Sequence, residues 1–389
     1  MKILHTLNNI MKREVMRLVS NRIYMFMLII APLVCYIFFA DLLKTGVPNS
    51  LPAALVDKDN SSVSRALARS LDAFGQTKIV LRTDDFEEAR EAMQSGKIYS
   101  IFYIPENFKQ DASSGKEPLL SFYTNDSYLL PGSLLYKDMR LQAALANGVV
   151  QQTLLLAKGE SEPELSAKLN PVVVDTHPLN NPWLSYSIYL TNTLIPAIFA
   201  MFVMFVTVYS ISSELKRGTA GELMKMSHNS IGTAIIGKLI PQFIILFIMG
   251  SLYLVLLYRF LRFPINSGLG PMFLAMTLLI LSCQALALFA TGLVNQHRIS
   301  LSFCALWSVL SFSIIGFTFP LRSMPEPLQW AANLFPMRHY FMIYVDQALN
   351  GIPMYYSWIS YTALALFMFL PLLTLGRLKK QLLANRYIP

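Results

Sequence analysis

Six apolar stretches, unevenly spread, constrain this chain more than any other property of its sequence. One occupies residues 23–40, and five follow at approximately 186–210, 234–258, 271–294, 300–319 and 355–376, with the polar run 41–182 between the first and the second. Residues 23–40 carry no charge, and as a helix they reach roughly 27 Å at ~1.5 Å per residue, close to the ~30 Å hydrocarbon core of a bilayer. The expected fold class is an α-helical membrane protein with six transmembrane helices and one inserted external domain. An even number of crossings puts both termini on one side.

Lys and Arg in short flanking loops resist translocation, whereas long domains cross largely regardless of charge. Residues 41–182 are therefore left out of the count. Five basic residues precede residue 23; Lys216, Arg217, Lys225 and Lys238 attend the loop between the second and third spans; Arg298 and four residues after Gly376 complete fourteen. The short loops on the other side hold only Arg259, Arg262, Arg322 and Arg338. Both termini are thus expected in the cytoplasm of a multi-pass membrane protein. The net charge of +9 concentrates on that face, which accounts for it without nucleic acid as a partner.

Cys35, Cys283 and Cys304 all fall within spans, so the polar run has no cysteine for a disulfide and the three read as apolar filler. Residues 23–40 are followed by the acidic Asp41 without a small-residue cleavage motif, and read as a retained anchor rather than a signal peptide. Before it, in residues 1–22, Leu4, Leu7, Met11, Val15 and Leu18 recur at helical spacing while Lys12, Arg13 and Arg17 fall largely elsewhere. An amphipathic helix in the headgroup layer is expected there, either a plain anchor or part of a partner-binding surface.

The polar run alternates β-rich and helical segments. Strands are expected at 53–56, 78–81, 98–104, 119–123 and 172–175, and helices at 61–74, 85–95, after Pro105 and at 133–157, which describes an α/β domain over 41–182. The proline-broken stretch 158–182 reads as its linker back to the membrane. Its carboxylates (Asp84, Asp85, Glu87, Glu88, Glu91) lie at a helix start among basic residues, where the helix dipole and i,i+4 pairs explain them. His177 is the domain's one histidine and no cysteine accompanies it, so a metal site has no ligand set, and Ser61, Ser62 and Ser64 read as helix caps rather than nucleophiles. Catalysis is not expected.

Gly232, Gly237 and Lys238 match GxxxxGK, the start of a phosphate-binding loop. Leu239 stands where a Ser or Thr should hold magnesium, and the run enters an apolar span rather than a soluble helix, so no nucleotide site follows. Lys238 is expected to snorkel to the interface.

The surrounding loop, ISSELKRGTAGELMKMSHNSIGTAIIGK over 211–238, resembles that of the ABC-2 type permeases, the membrane subunits of a class of ATP-binding-cassette exporters. The matching positions are Glu214, Gly218, Thr219, Leu223, Gly237 and Lys238; the departures are Gly221, where an acid is usual with Glu222 one later here, and His228 in place of a common proline. Between the fifth and sixth spans, Met324, Pro325, Leu328, Trp330 and Pro336 resemble the family's external stretch, and 320–350 is expected to form a re-entrant region with Trp330, Phe335 and Tyr340 at the outer interface.

The resemblance covers nearly the whole chain and implies a type V exporter-like architecture: spans two to six over 183–376, a coupling loop at 211–233, and a basic cytoplasmic tail at 377–389. It implies a separate ABC ATPase subunit, with ATP and Mg held there and no cofactor on this chain. It implies a second permease copy or a related permease, and raises a periplasmic adaptor and an outer-membrane channel as partners of the external domain. ATPase coupling falls to Glu214, Arg217, Gly218, Thr219, Glu222 and Leu223 within a docking surface shared with the N-terminal helix. The transport route falls to the second and fifth spans, where Asn192 and Pro196 break the apolar texture and Ser300, Cys304, Ser308 and Ser311 share a face. Pathway, dimer face and close helix packing are all open readings of that face. The expected function is outward movement of an amphiphilic or hydrophobic substrate. A membrane-anchored receptor or scaffold is the alternative, and it leaves the five later spans unexplained; a lipid-acting enzyme lacks a buried carboxylate or histidine cluster.

Overall fold

The computed structural model describes residues 2–114, 116, 119–157, 180–181, 185–294 and 296–384. The chain divides into two compact units, Met1–Lys44 with Leu179–Pro389, and Thr45–Pro178.

In the first unit, six helices among the described residues are long and apolar enough to cross a membrane: Arg22–Leu42, Tyr186–Lys216, Ile231–Phe260, Leu269–Leu293, His297–Ile314 and Met354–Leu373. They coincide with the six apolar stretches, but the second runs six residues past its apolar run, because Ile211 to Leu215 find a buried environment of their own. The second and fourth spans are 67% buried and form the centre; the first, fifth and sixth, at 28%, 22% and 28%, pack around it with one side open. Tyr36 of the first span meets Phe199 and Tyr253 at centroid distances of 6.4 and 5.2 Å, so aromatic packing joins spans one, two and three.

Two amphipathic helices flank the bundle. Lys2–Ser20 lies against the third span, and Leu375–Ala384 packs Leu378 and Leu382 into the same small core as Ile10, Leu223 and Ala234. The expected basic tail is therefore helical through Ala384, and residues 385–389 lie outside the described set. The two flanking helices sit at the same end of the bundle, as an even number of crossings requires.

At the other end, residues 320–350 form two short helices, Glu326–Ala332 and Pro336–Ile343, the second continuing as a wider π turn to Leu349. Pro325 directly precedes the first and Pro336 opens the second, where a missing N–H costs nothing. Met324 is half-buried and its carbonyl accepts from Gln329 Nε2 at 2.8 Å. Trp330 is exposed, as expected of an interfacial anchor, but Phe335 and Tyr340 are buried in the bundle core. Their expected interfacial role does not hold, since Phe335 packs on Trp307 of the fifth span at 4.8 Å. His339 is buried too, its Nε2–H donating to the Asn333 carbonyl at 3.0 Å, and burial pushes its imidazole below the ordinary value.

The second unit contains a four-stranded sheet in the order β2-β1-β3-β4, with β1 Leu51–Asp57, β2 Thr77–Thr83, β3 Ser100–Ile104 and β4 Ser121–Thr124. β1 pairs in parallel with β2 and β3, so each crossover carries a helix, Ser62–Asp72 and Phe86–Gln94. β4 returns antiparallel on β3. The strand period of two divides β1: Ala53 and Leu55 face a core with Leu71, Phe102 and Met139, while Ala54 and Val56 face Ala89 and Ile101. Ser61 caps its helix, accepting from the N–H groups of Val63 and Ser64, and Asp85 caps the next. The long helix Leu129–Ala157 begins four residues earlier than expected. The strand expected at 172–175, His177 and most of the linker lie outside the described residues.

Candidate functional site: a buried ionic node at the loop 211–238

Four segments, the N-terminal helix about 200 positions from the other three, meet at the end of the bundle that carries the flanking helices. The N-terminal helix contributes Arg13, Glu14 and Arg17; the second span contributes Ser210 and Glu214, one turn apart. The loop contributes Thr219. The third span contributes Lys238 and Gln242, again one turn apart, so each helix presents a single face to the others.

Lys238 is fully buried, its Nζ 2.6 Å from Glu14 Oε2 and 2.9 Å from Glu214 Oε1. It does not snorkel as expected, because two carboxylates meet it inside. Arg13 holds Glu214 in a bidentate fork, Nη1 to Oε1 at 2.9 Å and Nη2 to Oε2 at 3.0 Å. Arg17 Nη1 pairs with the same carboxylate, and its Nη2 donates to Thr219 Oγ1 at 2.8 Å, which in turn donates to Glu214 Oε2 at 2.6 Å. Gln242 Nε2 donates to Glu14 Oε1 at 3.0 Å and to Ser210 Oγ at 2.6 Å. Three cations thus enclose two buried carboxylates, and exposed Glu222, 3.9 Å from Arg13 Nη2, stands at the rim as the balancing third. Glu14 went unremarked in the sequence because its pairing partner is 224 positions away.

The local backbone explains how these side chains converge. Gly218, at φ +69°, adopts the left-handed conformation that stops the second span, and the loop helix Ala220–Met226 follows at once. His228 and Asn229 also have positive φ, and Ser230 then caps the third span. Gly237 admits the N-terminal helix: a Cβ there would stand 2.9 Å from Ile10 Cγ2. The GxxxxGK match is therefore accounted for by packing and an internal ion pair.

These contacts redistribute the residues expected to form a docking surface. Glu214 and Leu223 face inward, at 0% and 1% exposure, and have no surface to offer a partner. Arg217, Gly218, Glu222 and Lys225 are exposed, and Thr219 lies between the two groups. On the N-terminal helix the expected apolar stripe is only partly inward: Leu18 is buried and Leu7 and Met11 are half-buried, but Leu4 and Val15 point out with Met16 and Val19, and Thr6, Ile10 and Glu14 complete the buried face.

Asn192 and Pro196 are buried in the second span, and Tyr258 of the third span donates to Asn192 Oδ1 at 3.2 Å. Ser308 and Ser311 are buried where the fifth span meets the rest of the bundle, and each hydroxyl donates back to its own helix, to Cys304 O and Ser308 O. This small-residue face is covered by other parts of the same chain. No group of His, Cys, Asp and Glu that could hold a metal occurs among the described residues.

A family model for ABC-2 family transporter proteins matches residues 22–376. The chain belongs to the ABC-2 transporter family. Among its relatives is the probable multidrug ABC transporter permease YbhR of Escherichia coli strain K12, 23% identical over 339 residues that make up 86% of this chain and 88% of the relative. The same protein of Escherichia coli O157:H7 matches equally. As an ABC-2 permease the chain is a multi-pass membrane subunit rather than a catalytic one, and its family implies an ATPase partner and a membrane dimer.

Proposed function

We propose that this ABC-2 permease moves an amphiphilic or hydrophobic substrate outward across the inner membrane, with both termini cytoplasmic and with ATP and Mg bound and hydrolysed on a separate ATPase subunit. The buried node carries the reading. A displacement of the loop helix Ala220–Met226 is passed through Thr219, Arg13 and Arg17 to Glu214 of the second span, and through Lys238 to the third. Charge-assisted hydrogen bonds fixed in a dry site move as one body, which a lone solvated loop cannot do. The ATPase then docks on Arg217, Gly218, Glu222 and Lys225, the exposed side of that joint.

Two copies assemble through the open sides of the outer spans, where Val34, Ile37, Leu306 and Val309 are exposed. The unit Thr45–Pro178 stands outside, docks a periplasmic adaptor that leads to an outer-membrane channel, and shapes the exit. A substrate of the drug type is favoured by the relative's printed name.

Cysteines placed singly at Asn60 and His228, both exposed, test the orientation in intact cells. An impermeant thiol reagent is expected to label the first from outside and not the second; labelling of both, or of His228 alone, refutes the topology. Reconstitution with the cognate ATPase tests transport, which requires ATP hydrolysis to rise with an added amphiphilic drug.

A further inference from the structure

A second polar feature lies beside the node and takes no part in it. Tyr209, Ser212, Ser213, Lys216, Arg217 and His297 line a cavity of about 300 Å³ between the end of the second span and the start of the fifth. That volume is at the lower end of the ~300–1,000 Å³ typical of small-ligand sites.

Its lining is one-sided in charge. Among the described residues, Lys216 and Arg217 have no ion-pair or hydrogen-bond partner for their side chains and none of those lining the cavity is acidic. The nearest carboxylate of the second span, Glu214, is engaged by Arg13, Arg17 and Lys238. The Ser212 hydroxyl makes no hydrogen bond among the described residues, and the Nδ1 atom of His297 is buried without a partner. Tyr209 accepts from Asn21 Nδ2 at 3.1 Å, which leaves its own O–H to donate. Topology alone explains basic residues at a span end; it does not explain a cavity in which the Tyr209 and Ser212 hydroxyls and the His297 ring line the same volume as both cations.

We propose that this cavity binds a phosphate-bearing anion, and that its source is the headgroup of an anionic phospholipid. Several donors around one small volume match the multiple acceptor oxygens of a phosphate better than the planar pair of a carboxylate. Depth selects the lipid. The cavity opens where the apolar run of the second span gives way to Lys216 and where the fifth span begins, which is the level of the headgroups, and basic pockets between spans at that level take lipid phosphates. The inference does not depend on the transport reading, because binding is its observable.

The test uses the purified full-length protein in detergent, with three probes: a fluorescent short-chain phosphatidylglycerol, the matching phosphatidylcholine, and inorganic phosphate as a competitor. Saturable binding of phosphatidylglycerol, tighter than that of phosphatidylcholine, is expected. K216Q with R217Q should weaken it by at least about fivefold, the effect of one interfacial charge, and His297→Phe should weaken it less. Arg377→Gln with Lys380→Gln, basic residues on the carboxy-terminal helix, is the control and should leave it unchanged. Displacement only by millimolar phosphate assigns the site to a lipid headgroup, whereas phosphate binding tighter than the lipid assigns it to the free ion. Wild-type affinity for both in K216Q/R217Q, an equal loss in the control pair, or no saturable binding to the wild type overturns the site.

Discussion

The two ends of the helical bundle are held together by different physics. At the end carrying the flanking helices, two buried carboxylates are enclosed by buried Lys238 and half-buried Arg13 and Arg17, which tie four segments into one body. At the other end, around 315–350, the bonds are neutral or one-sided. Tyr189 O–H donates to Phe317 O at 2.7 Å, Gln347 Nε2 donates to Ser357 Oγ at 2.9 Å, and Arg338 Nη1 reaches the Ile315 carbonyl at 2.5 Å with no carboxylate partner among the described residues. A buried ion pair adds little net stability over an apolar replacement, but losing one partner is costly. The first end is therefore the one that loss of a single charged partner should disturb most.

The sharpest way to break this contrast is Lys238→Met. Glu14 would keep only Gln242 and Ser210 as partners, a carboxylate stranded in a dry site. The expected loss is about 3–5 kcal/mol of stability, read as a fall in the thermal midpoint of the purified protein, together with loss of drug-stimulated ATP hydrolysis. Lys238→Met combined with Glu14→Gln removes both members and should recover most of the stability without the stimulation. A single Lys238→Met that unfolds like the wild type would show that the charged end is no more constrained than the neutral one.

That contrast also marks what could be read from residues alone. The six spans are visible because each is a continuous apolar run, a property of neighbours in sequence. The loop could be located by its Gly218-Thr219 break and the resemblance around it. The node could not, because its pairings to the N-terminal helix cross 196 to 228 positions and Glu14 looks like any acid on an amphipathic helix. The burial of Phe335 and Tyr340 was hidden for a related reason: aromatic residues near a span end suit either an interface or a core, and only the path of the surrounding chain chooses. Leu375, Leu378 and Leu382 did carry a helical spacing in the basic tail, a signal that the positive charges overshadowed.

A smaller effect is expected where the second and third spans meet through neutral groups. Tyr258→Phe removes the donor to Asn192 Oδ1 and leaves that oxygen buried, for a loss of about 1–2 kcal/mol. Transport should persist, and a loss of stability as large as that of Lys238→Met would erase the difference between charged and neutral contacts.

The unit Thr45–Pro178 supplies a comparison in pH. Burial pushes the Asp138 carboxyl above its ordinary value, against the opposing effects of the Thr77 hydroxyl, which donates to Oδ2 at 2.8 Å, and of Lys137. A folded-state value above the unfolded one means that folding favours the protonated acid. Its contribution is present below the unfolded carboxylate range and is lost as pH rises through the folded value. Asp138→Asn should make this unit more resistant to proteolysis within the full-length protein at neutral pH, with the advantage vanishing near pH ~4. An advantage that persists at the lower pH would assign the effect to packing instead of charge.

The smallest stability change and the most informative functional one belong to Glu222. It sits at the rim of the node, 71% exposed on its side chain, with Arg13 Nη2 3.9 Å away. An exposed pair at that distance contributes ~0–1 kcal/mol, so Glu222→Gln should leave the thermal midpoint within about 1 kcal/mol of the wild type. If the exposed side of the loop is where the ATPase docks, the same change should still weaken stimulated ATP hydrolysis by removing a contact with the partner, and high salt should weaken the wild type toward the mutant. Lys238→Met loses stability and stimulation together, whereas Glu222→Gln should lose stimulation alone. Full stimulation in Glu222→Gln at low salt would move the docking surface off this side of the loop, leaving the node as a structural weld without a neighbouring contact to drive it.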